Sequence, residues 1–158
     1  MKQRFVGRAL TGLVLGSLAA CGQPGGSQAL RPETFARRVS DGTVVVGWSC
    51  MQPAAGLLRV EGAVRNPSVP GPIRDVELTL YGVGGTGRDV SRVSGSTASY
   101  QIPPMAASPF RLDLHLAGGE VQIDLRYQYL GSFGGGASDE GGASVITSNL
   151  ARDVCRPL

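Results

Sequence analysis

The chain has 158 residues, 15 basic against 12 acidic, with 24 glycines, 3 cysteines and a single histidine. The basic excess is concentrated in Lys2, Arg4 and Arg8; past residue 20, twelve arginines face twelve acids. That balance offers no concentrated basic face, so nucleic acid is not an expected partner. One histidine and scattered cysteines fall short of a zinc ligand set, so no metal or other cofactor is expected.

At the start, the three basic residues precede an apolar run from Ala9 to Ala20 that ends in small residues, the pattern of an export signal over 1–20. The run is about a dozen residues, short of the ~20 that a spanning helix needs. Leu18-Ala19-Ala20-Cys21 resembles the lipobox of bacterial lipoproteins. The resemblance implies a diacylglycerol on the Cys21 thiol and cleavage before it. Two or three acyl chains suffice for stable anchoring. The alternative is an ordinary cut after Ala19, within Ser17-Leu18-Ala19, leaving Cys21 an idle thiol. Gly22 rather than Asp after the cysteine implies the outer membrane in a Gram-negative host.

Residues 21–42 read as a lipidated, flexible tether, because Gly, Pro, Ser and Gln bury too little apolar surface to offset ordering. Such a coil spans roughly 25 Å. One helical turn from Pro32 to Val39, with Arg31, Arg37 and Arg38 against anionic headgroups, is the alternative.

From residue 43 to 158 the period is two. Val44, Val46, Trp48 and Cys50 share one face; Leu58, Val60 and Val64 form the next, then Val76, Leu78 and Leu80. Phe110, Leu112, Leu114 and Leu116 follow, and Val121, Ile123, Leu125, Tyr127 and Tyr129 make the last clear run. Polar residues alternate with each set, as in half-buried antiparallel strands. Weaker strands are expected at Arg88–Val93, Ser96–Ile102 and Ser144–Asn149. Ala117-Gly118-Gly119-Glu120 fits a tight hairpin between the last two runs, Asn66-Pro67 and Pro70-Gly71-Pro72 an ordered turn, and Gly82 to Gly87 a flexible one. The expected fold is all-β: one immunoglobulin-like antiparallel sandwich of about seven or eight strands, with a Gly-rich loop at 131–143; a partly open barrel is the alternative.

Val60-Glu61-Gly62-Ala63-Val64-Arg65-Asn66, Val76-Glu77-Leu78-Thr79-Leu80-Tyr81 and Ile102-Pro103-Pro104-Met105-Ala106 into Ser108-Pro109-Phe110-Arg111-Leu112 appear in that order. The stretch resembles the FxLYD domains and, more distantly, LEA-type β-sandwiches. It departs from them where Val76 or Glu77 occupies the expected Phe position and Gly82 that of the Asp. The resemblance implies a fold and no catalytic residues.

Without Cys21, Cys50 and Cys155 remain, an even number in a compartment that permits disulfides. A bridge between them is expected; two reduced thiols or an intermolecular bond are the alternatives. His115 should point outward. Asp113 lies beside it, but no serine sits in a nucleophile elbow. Asp75 with Glu77, or Asp139 with Glu140, are the carboxylate pairs a hydrolase would use; solvated faces or loops account for both. Candidate binding residues are Phe133, in the Gly-rich segment, and Tyr81, on the polar face of its strand. The expected function is a non-catalytic, membrane-anchored envelope lipoprotein held in the bilayer by acylated Cys21. Its sandwich would bind or scaffold another envelope protein. An envelope hydrolase or polymer-modifying accessory enzyme using carboxylates is the second reading.

Overall fold

A computed structural model describes residues 31–67, 71–133 and 143–155. The lipobox, Asp139, Glu140 and most of the Gly-rich stretch lie outside the described residues. A 3₁₀ turn at Pro32–Thr34 precedes nine strands: β1 Arg37–Ser40, β2 Val45–Ala54, β3 Leu57–Arg65, β4 Ile73–Gly84, β5 Asp89–Ser96, β6 Gln101–Ile102, β7 Ala107–His115, β8 Glu120–Phe133 and β9 Ala143–Cys155. One sheet has the order β1-β2-β3-β7; the other runs β5-β4-β8-β9, with β6 paired to β4. All pairings are antiparallel. The result is an immunoglobulin-like β-sandwich.

The alternating apolar sets become the two inner faces. Val46, Val60, Val64, Leu78, Leu80, Ile123 and Leu125 are fully buried, with Trp48, Phe110, Leu112 and Leu114 beside them. A large apolar side chain removed from water in this way contributes roughly 1.5–3 kcal/mol before entropy is set against it. Tyr127 and Tyr129 also face inward, each 1% exposed. Tyr129 donates its hydroxyl to Asp41 Oδ2 at 3.0 Å.

Bulges keep the inner faces continuous where strict alternation would break them. In β4, Arg74 opposes Leu130 and Glu77 opposes Gln128, so three steps on β4 match two on β8. The extra residue is Asp75, at φ 50°, and both Ile73 and Val76 point inward as a result. In β9, Ala151 opposes Leu125 and Cys155 opposes Ile123, with Asp153 also at φ 50°. The Asp153 amide donates to Asp124 Oδ1 at 3.0 Å, and the bulge turns Val154 and Cys155 into the core. At the start of β8, Val83 opposes Gln122 while Gly84 opposes Glu120. Val121 is the residue left over, so it is 65% exposed and not on the inner face as its period suggests.

Three further expectations are corrected. The tether does not extend to residue 42: Arg37–Ser40 pair with Val45–Trp48, and Asp41 closes the turn between them by accepting the amides of Thr43 and Val44. Ala117 to Glu120 make no hairpin. The strands on either side belong to different sheets, and the turn carries the chain across the sandwich. Glu120 holds that turn, accepting the Ala117 and Gly118 amides and the Ser91 hydroxyl. Burial works to raise its carboxyl pKa, yet these hydrogen bonds outweigh it and keep the group below the ordinary glutamate value. Finally, Gly82 to Gly84 belong to β4, and only the residues after them form the loop.

The expected bridge is present. Cys50, on β2 of the first sheet, is bonded to Cys155, at the end of β9 in the second, with Cα atoms 6.0 Å apart. Trp48 Nε1 donates to the Val154 carbonyl beside it at 3.1 Å.

Candidate functional site

The outer face of the first sheet is a self-neutralising ladder. Register places Arg59 opposite Asp113 and Glu61 opposite Arg111. Arg59 Nε and Nη2 meet the two Asp113 oxygens at 2.7 and 3.2 Å, and Arg111 adds a third contact at 3.1 Å. The Arg59 hydrogen bond, helped by Arg111 and opposed by desolvation, lowers the Asp113 carboxyl to about 2. His115 is exposed beyond the ladder, and Asp113 is engaged by arginines and not by it. A triad-like role finds no geometry here. At the Glu61–Arg111 end of the ladder, an open depression of about 470 Å³ is lined by these two and by Phe35, Pro109 and Phe110 among others.

The outer face of the second sheet holds Tyr81. It lies on the outward side of β4 as its sequence position predicts, but it is only 8% exposed. Arg92, directly opposite on β5, and Arg126, diagonal on β8, each stack a guanidinium 5.2 Å from the ring centre. Two long side chains therefore cover the aromatic face that a partner would need. Tyr81 is a packing element of this face, not an open contact residue. Phe133 ends β8 opposite Ala143.

The carboxylates that sequence spacing paired do not share a site. Asp75 accepts the Tyr100 hydroxyl at 3.2 Å, whereas Glu77 accepts Gln128 Nε2 at 2.7 Å. Bulging at Asp75 turns the two apart.

Sheet edges distinguish one surface from the rest. A strand edge carries unpaired N–H and C=O groups, which folded proteins protect by shortness, charge, proline or cover. Of the four edge strands, β1 is four residues long and contains Arg37 and Arg38. In β7 the edge carries Pro109, whose carbonyl accepts the Ala98 amide at 2.8 Å. Asp89 and Arg92 lie on β5. Among the described residues, the thirteen residues of β9 pair with β8 on one side only. From Ala143 to Ala151 they read Ala-Ser-Val-Ile-Thr-Ser-Asn-Leu-Ala, with no charge and no proline. On the outward face Ile146 is 72% and Leu150 44% exposed. Among the described residues, cover begins at the far end, where Arg37 Nη1 donates to the Asp153 carbonyl at 3.1 Å. Inside, Asn149 Nδ2 donates to Asp41 Oδ2, fixing the strand at its middle.

The sequence predicts a weak strand at Ser144–Asn149 but not its place at a sheet edge. The available signal was the uncharged run itself. What hid its importance is that edge position depends on sheet order, which the two-residue period does not carry.

No family model matches the chain, and no curated protein matches it. Among solved structures, the GAE domain of yeast GGA1 is similar at 9% identity, covering 72% of this chain and 94% of that one, with a TM-score of 0.43. A protein from Archaeoglobus fulgidus is similar at 13% identity, covering 77% of this chain and 100% of that one, with a TM-score of 0.31. Neither likeness carries an argument about function, and the FxLYD and LEA-type resemblance finds no family match beside it.

Proposed function

We propose that the chain is a non-catalytic cell-envelope lipoprotein, anchored through acylated Cys21, whose sandwich binds a protein by accepting a strand along β9. The observation that carries the binding half is the uncharged edge from Ala143 to Ala151, uncovered among the described residues, with Ile146 and Leu150 on its outward face. Strand addition supplies affinity through main-chain hydrogen bonds and specificity through alternate side chains. A rigid, disulfide-closed sandwich presents such an edge without a large ordering cost at binding. The anchoring half rests on Leu18-Ala19-Ala20-Cys21, and the residue after the cysteine favours the outer membrane in a Gram-negative host.

Mild cross-linking of native envelopes, followed by affinity purification, tests the binding half. The wild-type chain should retain one stoichiometric protein with cross-links mapping to β9, and Leu150→Lys should lose it. Equal capture by both chains would remove the edge from the mechanism. Intact mass of the membrane-extracted chain tests the anchor: unmodified Cys21 would overturn it.

A further inference from the structure

We infer that the strand accepted by β9 is the β9 of a second copy, paired antiparallel about a two-fold axis at Ser148. This rests on the edge-acceptor reading above and names its partner. An isologous contact needs a surface that complements itself under a two-fold rotation, and the sequence of β9 does so in one register. With the axis at Ser148, Ile146 of each copy lies opposite Leu150 of the other. Both apolar outward residues are then paired twice over, and Ser148 meets its own counterpart. Arg152 falls opposite Ser144, so no like charges oppose each other. On the inward face Thr147 lies opposite Asn149.

Neighbouring registers are poorer. Moving the axis to Asn149 sets Ile146 against Arg152 and Leu150 against Ser148. Moving it to Thr147 sets Ile146 against Ser148 and Leu150 against Ser144. Opposed side chains are the unit of sheet stabilisation, so the Ser148 register is selected by both apolar pairs at once. The twelve arginines and twelve acids past residue 20 cancel, so two copies approach without net repulsion. Pairing also satisfies the edge from Ala143 to Ala151, which is bare among the described residues, and Arg37 closes what remains at Asp153.

Antiparallel pairing brings directly opposed Cα atoms to about 4.5–5.5 Å, within disulfide reach. The full chain carrying Ser148→Cys should therefore give a covalent dimer under mild oxidation. Ser94→Cys, exposed on β5 at the opposite side of the same sheet, should give no more than the wild-type chain. Adding Ile146→Lys to Ser148→Cys should cut the dimer yield about tenfold, because both symmetry-related pairs are lost together. Circular dichroism should remain that of the wild-type, since Ile146 is outside the core. No covalent dimer from Ser148→Cys, with a different protein still captured through β9, overturns self-pairing and leaves the edge reading standing. If neither a second copy nor another protein engages β9, both fall.

Discussion

Asn66 is fully buried at the point where the chain leaves β3 for the other sheet. Its Nδ2 donates to the carbonyls of Gly71 and Ile102 at 3.0 and 3.2 Å, and its backbone exchanges hydrogen bonds with Met105 and Ala106. One side chain thus ties together Gly71 and Ile102, each followed by a proline. Removing a donor from buried acceptors costs more than the net worth of the bonds, about 1–3 kcal/mol for each group left unmet. Asn66→Ala should lower the unfolding free energy by roughly 2–4 kcal/mol in urea titrations, with an unchanged slope. Asp113 gives a test with a different variable. Its folded carboxyl is depressed from 3.8 to about 2, chiefly by Arg59. A depressed carboxyl contributes stability that is present above its unfolded pKa and lost as pH falls through the folded one. The urea midpoint should therefore drop between about pH 4 and pH 2, and Asp113→Asn should flatten that part of the profile. The outward position of Tyr81 was legible, but its cover by Arg92, on the next strand, and Arg126, far along the chain, depends on how the strands pair.

Elements were legible where alternation was strict and both faces differed. The five clear runs became β2, β3, β4, β7 and β8 with the expected sides inward; the exception was Val121, displaced by a bulge. Register and sheet membership were not legible, because the period is the same whichever strand lies alongside. That is why Ala117–Glu120 resembled a hairpin and instead crosses between sheets. Asp41-Gly42, between Val39 and Val44, was a readable turn signal, and it marks the hairpin that adds β1 to the sandwich. The same region contains a steric test. Gly47 lies under the buried Pro32, and a Cβ there would come within 2.6 Å of the Pro32 Cα. Gly47→Val should push the 3₁₀ turn off the sheet, breaking the contact between Glu33 and Arg65 at 2.7 Å. Hydrogen exchange should then quicken at Thr34 and Phe35, whose amides are bonded within the turn. The overpacking cost is about 1–3 kcal/mol. Protection unchanged at those two amides would mean that the close approach is relieved elsewhere.

At the scale of the whole molecule, the two sheets meet without a shared strand pair on the side where β1 and β9 end them. No strand pair bridges that side among the described residues. It is crossed by Asp41 to Tyr129 and Asn149, by Trp48 and Arg37 to the end of β9, and by the Cys50–Cys155 bond, whose residues are 105 apart in sequence. Closing so long a loop in the unfolded chain is assigned about 4–5 kcal/mol by the chain-entropy model. In the native state the bond holds the last residue of an edge strand that, on the reading above, must bear the load of a partner. A free C-terminal edge would peel from β8 when a second strand pulled on it; a bonded one transmits that pull to β2. The paired variant Cys50→Ala with Cys155→Ala should therefore lose stability by up to about 4–5 kcal/mol, read from its urea midpoint. Its amide exchange should quicken first at Arg152 to Cys155. The Asp41 contacts should keep the middle of β9 protected longer. A loss confined to global unfolding, with no preferential exchange at that end, would assign the bridge to the unfolded state alone and remove its part in holding the edge. Alkylation of either cysteine in the untreated wild-type chain would overturn the pairing itself.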